Sequence, residues 1–272
     1  MKRPLCTLLS VLLTLGLLLE AAPAVLAAPA EPAAGRKLVA LTFDDGPGAY
    51  TDEILDTLRR HNAKATFFLL GHKIPACPDQ VRRMAAEGHQ LGNHTENHPY
   101  LKECSDAAIQ REVKETAQAI TDVTGLTGTG DTGFYLRPPF GSYSARVAAA
   151  AHVPVIWCSA DTCDWKYRSV RHLVHYFGEQ IQDGDIVLLH ETVESTARGL
   201  DALLTKLEAR DFSLVTVEEL LKRRGITPEP GEILFDARAA RGILPFPDTE
   251  VLGGASLLQR LLVLGFPPAQ VR

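Results

Sequence analysis

No block of lysine or arginine occurs in this sequence, and its formal net charge of −5 over 272 residues is mild. The basic footprint of a nucleic-acid binder is therefore missing. An apolar share of 46% is also too high for an acidic, disordered chain. Long apolar runs are scarce. The run from Leu5 to Leu19 falls short of the ~20 residues that a membrane-spanning helix needs. No C-x-x-C occurs among the cysteines, so their spacing matches no zinc motif.

What is present at the N-terminus has the layout of a signal peptide. Lys2 and Arg3 precede the apolar run, and small residues and prolines follow it through Ala34. Residues 1–28 are read as that signal, with cleavage after Ala27 or nearby, and residues 29–36 as a short Pro/Ala linker. The expectation is a secreted or cell-envelope protein. Export leaves Cys77, Cys104, Cys158 and Cys163, an even number that permits two disulfides or free thiols.

From residue 37 onward, strand-like and helix-like segments alternate. KLVALTF (37–43), ATFFLL (65–70) and GHQLGNH (88–94) read as strands, and so do FYLRP, PVIWCS, DIVLLHE and FSLVT. Helices are expected at 51–62 behind a Thr51 cap, at 79–88 and at 105–123. Others are expected around 144–151, 169–182 and 196–210, with a last one ending near Gly225. Apolar strands alternating with helices imply a parallel sheet covered on both faces. About seven such repeats point to an α/β barrel in a single catalytic domain, 37–226, with chemistry at the C-terminal ends of its strands. TGLTGTGDTG (124–133) precedes a strand instead of joining one to a helix, so it is read as a loop and not a phosphate cradle. Residues 227–272, which include the apolar stretch SLLQRLLVL, form an extension with no assignable role.

The reactive residue types gather just past those strands. Asp44 and Asp45 end the first strand, and His94 and His98 follow the third. Arg137, Asp161, Asp164 and His190 end or follow later ones. His94 and His98 stand in H-x-x-x-H spacing, but Gly92 and Pro99 flank them, so a tight loop fits better than a helix. With one of the two aspartates they make a two-His, one-carboxylate set suited to zinc or another first-row dication. If Asp45 is that ligand, Asp44 stands beside it as a base for the attacking water, and Arg137 can orient it.

TFDDGP, HTENH, RPPFGSY, DTCDW and IVLLH, in that order, resemble the five motifs of the polysaccharide deacetylase family. This is the group with the NodB homology domain, carbohydrate esterase family 4. The resemblance covers about residues 37–225. It implies a distorted (β/α) barrel that removes N-acetyl groups from sugars with a divalent metal, Zn2+ first, with Co2+ or another first-row ion as alternatives. By position, it makes Asp45, His94 and His98 the metal ligands, Asp44 the base and His190 the acid. Arg137 would orient Asp44, and Asp164 would tune His190. Phe140, where the family usually has tyrosine, would supply a backbone N–H to the oxyanion. Leu188 and Trp165 would line the acetyl pocket, and Tyr143 is a candidate to stack on a sugar.

With export, the resemblance makes peptidoglycan the first substrate expectation. Chitin oligomers, muramic acid residues and O-acetylated xylan remain within the same site chemistry. A catalytically silent sugar-binding protein on this fold would be expected to lack Asp44, His190 or a ligand, and this chain keeps them all. No nucleic acid, stable membrane span or protein partner is expected.

Overall fold

The computed structural model describes residues 36–129 and 132–238. Residues 1–35, read above as a signal segment and most of a linker, and the residues beyond 238, with their SLLQRLLVL stretch, lie outside the described residues.

The first half runs β1 (Lys37–Gly46), α1 (Thr51–Arg60), β2 (Thr66–Leu69), α2 (Pro78–Ala86), β3 (Gln90–Asn93) and α3 (Asp106–Thr124). The second runs α4 (Ala145–Ala151), β4 (Val155–Ile156), β5 (Ala160–Asp161), α5 (Asp164–Tyr167) and β6 (Asp185–His190). It ends with α6 (Glu194–Ala209), β7 (Phe212–Leu214), α7 (Val217–Arg223) and β8 (Ile233–Leu234). β1 pairs in parallel with β2, β6 and β7. β3 extends the sheet beyond β2, and β5 extends it beyond β6. Leu136 then bridges β3 to β4, β4 pairs with β8, and Asp236 bridges back to Asp185 at the start of β6. The strands thus form the distorted parallel barrel that alternating strands and helices imply.

Period-two alternation along β1 explains where the site lies. Val39, Leu41 and Phe43 pack into one apolar cluster with Leu200, Leu203, Leu204 and Leu207 of α6. Leu38 and Ala40 join a second cluster with Ile186 of β6 and Val217, Leu220 and Leu221 of α7. Thr42 and Asp44 continue this second face toward the C-terminal end of the strand. Apolar layers at one end of a face thus give way to polar groups at the other.

Several elements differ from expectation. FYLRP contributes one bridge residue, because Pro138 and Pro139 have no N–H to continue a ladder. The helix expected over 169–182 is a π turn at His172–Tyr176 followed by a 3₁₀ turn at Phe177–Glu179. Thr51 does not cap α1: Tyr50 holds the cap position, and the Thr51 hydroxyl accepts the Gly48 N–H at 2.8 Å. Residues after Gly225 supply β8; the carbonyls of Glu232, just before it, and of Leu234, its last residue, each accept an N–H at 2.8 Å, from Val155 and Trp157. Cys77, Cys104, Cys158 and Cys163 are free thiols. Among the described residues, no helix is long and apolar enough to cross a membrane.

His89, between α2 and β3, gives the fold a pH dependence. It is buried, and its Nδ1 accepts the Ala65 N–H at 3.3 Å, a bond that requires the neutral ring. Burial, aided by Lys64 and Arg83, lowers its pKa from 6.5 to about 3. The unfolded chain takes up this proton near pH 6.5, so the contribution is complete above that pH and shrinks as pH falls toward 3. The urea midpoint of wild type should fall between pH 6.5 and pH 4, and that of His89→Gln should fall less.

Candidate active site

Strand register brings the acid and base candidates together. Asp44 on β1 is paired with His190 on β6, and Thr42 with Leu188. Neighbouring parallel strands lie ~4.8 Å apart, so side chains at paired positions flank one space. The ladder between β1 and β2 shifts register between Asp44 and Gly46, and Asp45 takes a left-handed backbone at φ 70°. That irregularity lets consecutive aspartates serve one site.

Asp45 Oδ1 lies 3.4 Å from His94 Nε2 and 3.3 Å from His98 Nε2. The three ligand atoms all fall within 4.8 Å of one another. Asp45 Oδ1 is buried with no hydrogen-bond partner among the described residues. His94 Nδ1 lies 2.7 Å from the Arg137 carbonyl. That oxygen can only accept, so Nδ1 carries the hydrogen and the Nε2 lone pair faces Asp45. An unpartnered carboxylate oxygen meeting an imidazole lone pair fits a divalent cation held by Asp45, His94 and His98.

The histidine loop is anchored from beneath. Asn93 Oδ1 accepts the Thr95 N–H at 2.9 Å, and Asn93 Nδ2 donates to the Val113 carbonyl at 2.7 Å. Glu112 of α3 accepts from the Asn97 N–H at 2.8 Å and from its amide at 3.0 Å. Thr95 and His98 both have positive φ, which these bonds sustain.

Arg137 is fully buried and donates to Asp44 Oδ1 at 2.9 Å, the Trp157 carbonyl at 2.9 Å and the Ile156 carbonyl at 3.2 Å. It also donates to the Thr42 hydroxyl, and its guanidinium stacks on Phe68, 4.1 Å from the ring centroid. Gly92 makes room for this stack, since an added Cβ would sit 2.5 Å from the Phe68 ring. Arg137 thus sets the orientation of Asp44 with its side chain and of His94 with its carbonyl. Asp44 Oδ2 is left 3.9 Å from His94 Nε2, bordering the ligand cluster.

Asp164 opens α5 and binds His190 twice, at the ring Nδ1 (2.7 Å) and the backbone N–H (2.8 Å). Thr196 and the Trp165 N–H complete its shell at 2.6 and 2.8 Å. With Nδ1 committed, Nε2 is the nitrogen of His190 that can deliver a proton. Burial lowers the His190 pKa, but Asp164 reverses this, with Asp44 and Asp45 adding to it, and raises it to about 9.

Sequence reasoning missed the support beneath these groups. Glu191 is fully buried, accepts from the Thr51 hydroxyl, and its N–H donates to the Asp44 carbonyl at 3.1 Å. Lys73 donates to the Asp45 carbonyl at 2.8 Å. An added Cβ at Gly46 would overlap the Glu191 carboxyl group. Gly46→Ala should therefore cost about 1–3 kcal/mol in urea unfolding. The cost should be smaller in a Glu191→Ala background, where the overlap is gone.

The remaining candidates sit at the rim or behind it. Phe140 is 68% exposed, packs on His98 at 4.4 Å between ring centroids, and has φ 56°. Its N–H donates to no acceptor among the described residues. Leu188 is buried on β6, two residues before His190 and on the same strand face. Trp165 is half exposed. The Tyr143 ring packs against Trp157 and Phe235, each at 5.6 Å, so its apolar surface is largely used within the fold. Tyr100, which the sequence did not single out, adds an exposed ring 6.3 Å from Phe140.

Residues 31–153 match the polysaccharide deacetylase family. The chain is 40% identical over 206 residues to the peptidoglycan-N-acetylglucosamine deacetylase PgdA of Listeria monocytogenes, covering 75% of this chain and 42% of that protein. It is 38% identical over 193 residues to a chitooligosaccharide deacetylase of Rhizobium leguminosarum bv. trifolii, covering 64% and 87%. The solved structure of peptidoglycan deacetylase PdaC from Bacillus subtilis is similar at a TM-score of 0.64 and 34% identity, over 70% of this chain and 94% of that one. The chain spans less than half the length of the Listeria relative.

Proposed function

The chain belongs to the polysaccharide deacetylase family, and we propose that it hydrolyses N-acetyl groups of N-acetylglucosamine-containing polymers, peptidoglycan first among them. The observation that carries this reading is the convergence at one end of the barrel of three pairings: Asp44 with Arg137, Asp45 with two histidines, and His190 with Asp164. Export, read from residues 1–28, brings the enzyme to the cell wall.

An amide is a weak electrophile with a poor leaving group, and each pairing answers one part of that difficulty. Asp45, His94 and His98 would hold a dication, which would supply Lewis acidity toward the acetyl carbonyl and the attacking water; Zn2+ suits the donor set. Asp44, held by Arg137 with Oδ2 free, takes the proton from the attacking water. The unpaired Phe140 N–H donates to the oxyanion that develops on the substrate carbonyl. His190 delivers a proton from Nε2 to the departing amine nitrogen, and Asp164 stabilises its charged form. Leu188 gives the acetyl methyl an apolar wall. The exposed rings of Phe140, Tyr100 and Trp165 offer apolar faces to sugar rings.

The test is acetate release by the purified protein, supplied with Zn2+, from peptidoglycan, chitin oligomers and acetylated xylan. Release from peptidoglycan is expected. Release from chitin oligomers alone would overturn the substrate, and release from no N-acetylated glycan would overturn the activity.

A further inference from the structure

On the His190 side of the site lies an open groove of about 390 Å³ that the mechanism does not use. Its lining includes Tyr50, Arg168, Thr192, Glu194, Ser195 and Arg198. The walls continue the catalytic elements. The Arg168 N–H donates to the Asp164 carbonyl at 2.9 Å, and the Val193 N–H to the His190 carbonyl at 3.3 Å. The groove thus borders the segments that carry the acid and its carboxylate partner.

The groove's charge runs against that of the chain. Two guanidinium groups line it with a single carboxylate, that of Glu194, whereas the chain as a whole carries −5. Glu194 pairs with Arg198 at 2.6 Å. Arg168 has no carboxylate partner among the described residues; its Nε donates to the Trp165 carbonyl at 3.2 Å. It also holds a left-handed backbone, φ 46°, an uncommon conformation for a non-glycine residue. Tyr50, Thr192 and Ser195 add hydroxyl groups. A planar guanidinium with free N–H groups beside further donors matches a carboxylate.

We infer that this groove receives a carboxylate-bearing substituent of the glycan, so that the site prefers an anionic wall glycan to a neutral N-acetylglucosamine polymer. The inference rests on the function proposed above and deepens it. Peptidoglycan offers that chemistry from two sources: the lactyl group of its muramic acid residues and the peptide stems attached there.

The test measures binding of three fluorescent fragments by anisotropy: a chitin oligomer, a peptide-stripped wall glycan with free lactyl carboxylates, and a peptide-bearing glycan. Wild type should bind at least one charged fragment more tightly than the chitin oligomer, by a margin that added salt erodes. Exposed ion pairs are worth at most about 1 kcal/mol, so Arg168→Ala should weaken charged-fragment binding about fivefold. Arg168→Lys should retain part of the preference, and Glu194→Gln should tighten charged-fragment binding. The stripped and peptide-bearing fragments separate the two carboxylate sources. Equal affinity of wild type for charged and neutral fragments would overturn the inference. So would equal loss on all three fragments in Arg168→Ala. Acetate release is measured separately, so loss of the proposed activity and loss of the charge preference are read from different experiments.

Discussion

Replacing Asp44 with asparagine should lower the rate of acetate release by about 10²- to 10⁴-fold, the usual range for a lost general base. Asparagine keeps the shape of the side chain and leaves a carbonyl to accept the Arg137 bond, now made to Asp44 Oδ1 at 2.9 Å. What it removes is the second oxygen as a proton acceptor. That oxygen borders the ligand cluster, 3.9 Å from His94 Nε2. The thermal melting temperature serves as the folding control. A rate within a few-fold of wild type would remove Asp44 from the proton transfer.

Loss of His190 should be comparable in size, and it carries a pH signature. His190→Ala is expected to reduce the rate about 10²- to 10⁴-fold. In wild type the acid must be protonated, and with its pKa raised to about 9 it stays protonated through neutral pH. Activity should therefore decline on the alkaline side as pH approaches that value. A bound dication offsets the negative charge of Asp45, one of the groups raising His190, so the decline falls at or somewhat below pH 9. Asp164→Asn removes the largest raising influence and leaves burial to act. Its alkaline limb should move toward lower pH, and its rate at pH 8 should drop further than at pH 6. The same limb in wild type and Asp164→Asn would exclude Asp164 as the group that tunes the acid.

The site was more legible in the sequence than the elements that carry it. Asp44, Asp45, His94, His98, Arg137, Asp164 and His190 each stand at the end of, or a few residues past, a segment that reads as a strand. In a parallel barrel that position alone brings them to one end. Three strands were harder to see because they are two residues long, held by neighbours and not by their own pattern. Proline stopped the strand at Arg137, and β8 came from a stretch with no polar chemistry to mark it. The supporting residues left no local trace at all. Glu191 meets Thr51 across 140 positions, and Thr196 meets Asp164 across 32, so no spacing rule links them. Gly46 looked like a turn residue, yet its lack of a side chain also makes room for the Glu191 carboxyl group.

Buried charge explains the expense of this arrangement. A buried guanidinium is tolerated only when paired and hydrogen-bonded, and Arg137 meets both conditions through Asp44, Thr42 and two carbonyls. The same carbonyl that fixes His94 belongs to Arg137, so base and ligand share one support.

The central claim is a division of labour between two adjacent carboxylates, Asp45 on the cation and Asp44 on the proton. Zinc titration of metal-stripped wild type, Asp44→Asn and Asp45→Asn against a chromophoric chelator tests it most directly. Wild type and Asp44→Asn should each bind one ion per chain with similar affinity, and Asp45→Asn should bind at least about 10- to 100-fold more weakly. Equal weakening in both variants, or tight binding by Asp45→Asn, would contradict the assignment.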